Sequence, residues 1–266
     1  MAERGTGPDF IESLARGLEV IRAFDAQHPE LTMSELAELT GLARPTVRRI
    51  LLTLEELGYV RAGRGGFSLT PRVLQLGLSF VSSSGLWDAA RPHMQQLVSR
   101  TGESSSAAQL DGADIVYVAR VAVPKIIALR VDIGTRFPAA STSLGKVLMS
   151  ELTPAQVEAV LAHPSRSGVV PRLQPDLPHL LEELAGTRER GWCLTDEQLA
   201  AGVRSVAAPL RDASGCVVAA MNVTVHAAET SVETLLAEHL PRLLETTQAI
   251  NADLALLGRL PLAGTH

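Results

Sequence analysis

LTMSELAELTGLARPTVRRILLTLEELGYV, residues 31–60, carries two apolar helical stripes on either side of a glycine turn. Leu36, Ala37 and Leu39 form the first stripe, Val47, Ile50, Leu51 and Leu54 the second, with Thr40-Gly41-Leu42 between them. Both recur at the three- and four-residue spacing of an amphipathic helix. Three positions narrow the reading. Ala37 is small enough to let two helices approach, Gly41 accepts the positive φ of a tight turn, and Val47, six residues on, fills the angle between the helices. This is the spacing of a helix-turn-helix. Pro45 and Thr46 fall in the first turn of its second helix, the end that enters a major groove.

The flanks extend this unit. Upstream, SLARGLEVIRAF (13–24) sets Leu14, Leu18 and Ile21, with Val20 and Phe24 half a turn round, on another amphipathic helix that Ser13 is expected to cap. Downstream, Tyr59-Val60-Arg61 and Phe67-Ser68-Leu69 flank Ala62-Gly63-Arg64-Gly65-Gly66, turn chemistry that suits a β-hairpin wing. Pro71 then opens a helix over 71–83. It runs into Ser82-Ser83-Ser84-Gly85, where a domain boundary is expected.

Charge singles out the same region. The 266-residue chain has a formal net charge of −5, which excludes a protein that coats nucleic acid over its whole surface. Residues 40–72 nonetheless carry Arg44, Arg48, Arg49, Arg61, Arg64 and Arg72 against Glu55 and Glu56, a local +4. With the second stripe buried, Arg48 and Arg49 face outward and Arg44 and Thr46 lead the helix. Arg44, Thr46, Arg48 and Arg49 are the expected contacts to base edges and phosphates, Arg61 and Arg64 on the wing the expected contacts to phosphate. Aromatic residues make up only 3% of the chain, too few for the stacking platforms of single-strand binders. The nucleic acid expected is double-stranded operator DNA.

Beyond residue 84 the pattern is α/β. A helix is expected over 86–101, strands over 105–111, 114–121 and 126–132, then helices from about Ser143, over 154–162 and over 176–190. Strands 204–210 and 216–225 read as a hairpin across Asp212-Ala213-Ser214-Gly215. A last helical segment, 230–257, opens on the capping-box pattern Thr230-Ser231-Val232-Glu233, and Pro241 is expected to kink or split it.

Candidate polar sites lie within this second half. Ser141-Thr142-Ser143 precedes a helix whose N–H groups suit a carboxylate. Asn222 and Thr224, two apart, share a face of an apolar strand and need a partner there. Arg204 would suit an anionic ligand, but Arg204 and Ser205 are strand neighbours that face opposite sides, so only one can turn inward.

Other chemistry is read out of the chain. Ser143-Leu144-Gly145-Lys146 spells S-x-x-K but has no companion S-D-N or K-T-G. As a phosphate loop it fails, with Ala140 at the first glycine and Val147 after the lysine. The seven histidines are scattered, and none has metal-ligand spacing; His226, beyond Asn222, is expected to be structural. No catalytic residue, metal or cofactor is expected. Cys193 and Cys216 read as two small buried side chains. No apolar run would cross a bilayer and the N-terminus lacks a signal-peptide core, so a cytoplasmic protein with no membrane partner is expected.

SLARGLEVIRAF, ELAELTGLARPTVRRIL and the wing ending in FSLTP resemble the N-terminal winged helix of IclR-family transcriptional regulators. TRFPAASTSLGKVLMS (135–150), GVRSVAAPLRD (202–212), VVAAMNVTVH (217–226) and EHLPRL (238–243) resemble that family's PcaR/PcaU/PobR subgroup, which controls aromatic acid breakdown through the β-ketoadipate pathway. The resemblance implies an α+β protein. A winged helix-turn-helix domain (1–70) would be joined by a linker helix (71–84) to a GAF-like α/β effector-binding domain (85–260), assembled as a homodimer or tetramer. It also implies that positions matching Ser143, Leu144, Thr195, Ser205, Asn222 and Thr224 line the effector cavity, alongside the Ser141, Thr142 and Arg204 of the residue reading. Where many relatives carry an acid pair, this chain has Glu197-Gln198. The implied function is sequence-specific DNA binding that responds to a small carboxylic acid of aromatic catabolism. Alternatives are a regulator sensing an oxo acid such as glyoxylate or pyruvate, or glycerol, and, more distantly, a GAF-type enzyme whose N-terminal domain mediates assembly.

Overall fold

The computed structural model describes residues 7–25, 27–77, 86–124 and 131–257. The chain divides into two compact units, Met1–Ser83 and Ser84–His266.

The first unit contains α1 (Glu12–Arg22), β1 (Glu30–Leu31), α2 (Met33–Thr40), α3 (Arg44–Glu56), β2 (Val60–Ala62) and β3 (Phe67–Leu69). A capping box starts α2: the Thr32 hydroxyl accepts from Glu35 N–H at 3.3 Å, and the Glu35 carboxylate accepts from Thr32 N–H at 2.7 Å. Gly41 ends α2 at φ 65, the left-handed turn its position demanded. Val20, Leu36, Val47, Leu51 and Leu54 meet in one core, with Ala37 and Ile50 packed against it. The wing forms as expected, Arg61 opposite Ser68. β1 adds a third strand on β3, too short for any periodicity to announce it. Its approach requires Gly66, at φ 152, where a Cβ would lie 2.5 Å from the Leu31 carbonyl oxygen.

Two expectations for α1 are corrected. Ser13 does not cap it; Ile11 occupies the cap position with no side-chain hydrogen bond. Val20 and Phe24 make the core contact, while Leu14 and Leu18 are exposed, because α1 rests on the opposite edge of its apolar face. The segment after the wing starts as a 3-10 turn, Pro71–Val73, capped by the Thr70 hydroxyl, and residues 74–77 are helical. The rest of the helix expected over 71–83, with the Ser82–Gly85 boundary, lies outside the described residues.

The second unit runs α4 (Leu86–Thr101), β4 (Ser104–Asp111), β5 (Asp114–Val121), β6 (Arg136–Pro138), α5 (Ser143–Met149), α6 (Pro154–Leu161), α7 (Leu177–Arg190), β7 (Cys193–Asp196), β8 (Val203–Arg211) and β9 (Val217–His226). A C-terminal helix follows. The strands form one antiparallel sheet in the order β6-β5-β4-β9-β8-β7. One face carries α5, every residue of it buried, against β4, β8 and β9; the other face carries α4 and the C-terminal helix. Burial on both faces explains why these strands read as nearly unbroken apolar runs. Gly145 permits the packing of α5, since a Cβ there would sit 2.1 Å from the Ala139 carbonyl oxygen.

Several local expectations are revised. The strand expected over 126–132 falls largely outside the described residues, and 131–132 is not strand. β6 and β7 were not expected; three and four residues are too few to show a period. The last helix is capped by Ser231, which accepts from Thr234 N–H at 3.2 Å, in place of the expected Thr230/Glu233 box. Pro241 does not split it. Val232–Thr234 continues through a π turn, Leu235–His239, into Leu240–Leu257. A widened turn just ahead of the proline accommodates its missing N–H and its ring. Cys193 is buried, but Cys216 is exposed, held in the β8–β9 turn where its N–H donates to Asp212 Oδ1.

Candidate functional site

α3 buries Val47, Leu51 and Leu54 and turns Arg44, Arg48, Arg49 and Leu52 to solvent. Thr46, in its first turn, is half-buried. On the wing, exposed Arg61 is steadied by an Nε–H donation to Ser68 Oγ at 3.1 Å, and Arg64 stands exposed in the turn. The structure therefore gathers five exposed arginines and the half-buried Thr46 on α3 and the wing. Arg72, the sixth arginine of the basic stretch, is occupied otherwise: it lies over the Tyr59 ring, 5.6 Å from its centre.

A cavity in the second unit lies between α5 and the same face of the sheet. Ser141, Thr142, Ser143, Leu144, Thr195, Ser205, Asn222 and Thr224 line it. Their hydrogen bonds separate them. The Thr142 hydroxyl accepts from Gly145 N–H at 3.0 Å, and Ser141 Oγ donates to the Leu173 carbonyl at 3.1 Å. Ser143 Oγ meets Ser205 Oγ at 2.7 Å, and Thr195 Oγ1 meets the same Ser205 Oγ at 3.1 Å. This is a buried cluster of three hydroxyls. Asn222 Oδ1 accepts from Ser106 N–H at 3.0 Å and its Nδ2 donates to Thr224 Oγ1 at 3.0 Å, so this polar pair is satisfied within the sheet.

Apolar groups complete the wall. Tyr117 and Phe137 meet edge to face at 5.7 Å between ring centres, and Val131, Leu144, Leu199 and Val203 lie with them. Burial pushes the Tyr117 phenol up to about 12, so it stays neutral.

The wall also contains Arg120, on β5, which was not expected. Its Nη1 donates to Ser106 Oγ at 2.8 Å. Burial lowers its pKa from the ordinary guanidinium value, and the charge of Asp132 offsets part of that effect.

The model of the IclR helix-turn-helix domain matches residues 13–63, and that of the bacterial transcriptional regulator IclR C-terminal domain matches residues 78–252. The chain belongs to the IclR family. It is 36% identical to the Pca regulon regulatory protein of Pseudomonas putida over 91% of this chain and 83% of that one. It is 33% identical to the p-hydroxybenzoate hydroxylase transcriptional activator of Acinetobacter baylyi, over 91% of each. These likenesses set it with the PcaR/PcaU/PobR-like members. A solved transcriptional regulator from Rhodococcus sp. RHA1 is 46% identical and superposes with a TM-score of 0.79, covering 93% of this chain and all of that one. An IclR homologue from Microbacterium hydrocarbonoxydans, solved in complex with 4-hydroxybenzoate, shares the fold at 24% identity and a TM-score of 0.80, covering 92% of this chain and 99% of that one. The chain is a transcriptional regulator, not an enzyme.

Within this IclR-family chain the choice between Arg204 and Ser205 is settled by the sheet. Ser205 faces the cavity. Arg204 does not: on the opposite face, its Nε donates to Asp196 Oδ1 at 2.7 Å and its Nη1 to the Thr230 carbonyl at 2.5 Å. The expectation that it serves the ligand is corrected, because its hydrogen bonds tie β8 to β7 and to the start of the C-terminal helix. Lys146 is likewise turned away from Ser143; fully buried, it donates to Glu183 Oε2 and to Gln198 Oε1 at 2.6 Å. Gln198 thus serves the lysine, and Glu197, at φ 50, meets Arg172. His226 is structural, its Nδ1 accepting from Ala228 N–H at 3.2 Å. Among the described residues no His/Cys/Asp/Glu cluster could hold a metal, and no helix is long and apolar enough to cross a membrane.

Proposed function

We propose that the cavity of the second unit receives a small aromatic carboxylic acid, and that its occupancy changes how α3 and the wing hold operator DNA in the control of aromatic acid catabolism. The observation that carries this is the composition of the cavity. A guanidinium and a hydroxyl cluster are set in a wall of aromatic and aliphatic side chains, the mixture that suits a flat apolar ligand with few polar groups. Support comes from the likeness to regulators of Pca and p-hydroxybenzoate genes and from the fold shared with a homologue that holds 4-hydroxybenzoate. The DNA contacts are Arg44, Thr46, Arg48, Arg49, Arg61 and Arg64. The protein works in the cytoplasm as a homodimer or tetramer, which presents two copies of α3 to half-sites one helical turn apart, ~34–36 Å.

A thermal-shift series on the full chain tests the ligand class. 4-Hydroxybenzoate, benzoate, glyoxylate, pyruvate and glycerol are compared. At one hundred times its dissociation constant, the cognate aromatic acid raises Tm by roughly 5–10 °C. Stabilisation by glyoxylate, pyruvate or glycerol, with none by either aromatic acid, would overturn the proposal.

A further inference from the structure

The cavity has two chemically different poles, and their placement specifies more of the ligand than its class. The cationic pole exists because of a β-bulge. Ala107 pairs with Ala119 and Ala108 with Tyr117, so Val118 is an extra residue on β5. Without it, period-two alternation from Tyr117 would send Arg120 to the far face. With it, Tyr117 and Arg120 both face the cavity, opposite Ala108 and Ser106.

Among the described residues, the bond to Ser106 Oγ is the one hydrogen bond the Arg120 side chain makes. A guanidinium carries five N–H donors in a rigid fork, which leaves donors over for a carboxylate. Its partial burial makes such an anion more favourable, the charge of Asp132 notwithstanding. The other polar groups of the cavity are neutral. The terminus of α5 makes a poor competitor for the carboxylate, since Thr142 and Ser141 spend their hydroxyls on Gly145 N–H and the Leu173 carbonyl.

The second pole is the hydroxyl cluster. Ser143, Ser205 and Thr195 own three O–H protons but share two contacts, so a proton and several lone pairs remain for a ligand hydroxyl. The Arg120 guanidinium reaches Ser106 on β4, and Ser205 stands on β8 with β9 between them. Two strand spacings and, by the register, two residues along the strand separate Ser106 from Ser205, ~12 Å, which a ligand covers together with its hydrogen bonds at both ends. One benzene ring with polar groups at opposite ends spans that distance; a two- or three-carbon oxo acid does not.

We propose that Arg120 receives the ligand's carboxylate and that Ser143, Ser205 and Thr195 read a hydroxyl at the far end of the same ring, so that the site selects a monocyclic aromatic acid hydroxylated opposite its carboxyl group. This rests on the cavity being the effector site. Calorimetric titration of the full chain with 4-hydroxybenzoate, its neutral analogue 4-hydroxybenzamide, and benzoate separates the two poles. The wild type prefers the acid to the amide by about 10–100-fold, the worth of charge-assisted hydrogen bonds. Arg120→Gln brings that preference below about 3-fold and keeps the preference for 4-hydroxybenzoate over benzoate. Thr195→Val with Ser205→Ala does the reverse. Should Arg120→Gln fail to fold, Ser106→Ala, which releases the guanidinium but keeps its charge, lowers the acid preference by at least about 3-fold. An acid preference unchanged in Arg120→Gln, or in Ser106→Ala where that variant stands in, would overturn the assignment while leaving the effector site in place. A wild type that binds no aromatic acid would remove the effector reading and this assignment together.

Discussion

Arg48 and Arg49 project from the exposed side of α3, whose other side is pinned by Val47, Leu51 and Leu54. Replacing both with alanine removes two charges and leaves the core untouched. Operator affinity should fall by at least about 100-fold, the slope of log K against log salt should become shallower by about 2, and ligand-induced thermal stabilisation should persist. Fluorescence anisotropy across a salt series measures this; unchanged affinity and slope would remove α3 from the groove. At this scale the sequence was informative wherever a residue's role depended on parity or on an end of an element. Asn222 and Thr224 could be placed on one face by counting in twos. Arg120 could not, because one bulged residue, Val118, reverses the count. Nor could counting choose between Arg204 and Ser205: both faces of β8 are buried, so apolar neighbours mark neither as inward.

The element that shapes the cavity is α5, and it depends on close backbone contact. Gly145→Ala would drive a Cβ to 2.1 Å from the Ala139 carbonyl oxygen, a main-chain atom that cannot swing aside. We expect a loss of about 3 kcal/mol or more in denaturant unfolding of the second unit, with ligand binding impaired in step. A loss below about 0.5 kcal/mol would show that α5 is free to shift. Long elements were legible: α4, α7, β8 and β9 lie within a residue or two of their expected spans because caps, turns and periodicity agree there. β1, β6 and β7 were not, since two to four residues record no period and owe their pairing to partners distant in the chain. Pro241 shows the same limit from the other side. Its effect on a helix was foreseeable in kind, but the π turn that absorbs it depends on the packing of Leu235 and His239.

At the scale of the molecule, a net charge of −5 concealed where the chemistry lies. Residues 1–83 carry nine arginines against ten acidic residues, so even the DNA-binding unit is not basic overall; the charge that matters is confined to α3 and the wing. The second unit holds the cavity. Regulation requires that its ligand bind one arrangement of the DNA-bound protein more tightly than another, and couplings of this kind are commonly ~1–3 kcal/mol. The most direct test is an operator titration of the full chain, with DNA from its own promoter, in the absence and presence of saturating 4-hydroxybenzoate. A shift of the binding midpoint by at least about 5-fold is predicted. A midpoint that stays in place while calorimetry shows the acid bound would contradict the coupling of cavity to DNA.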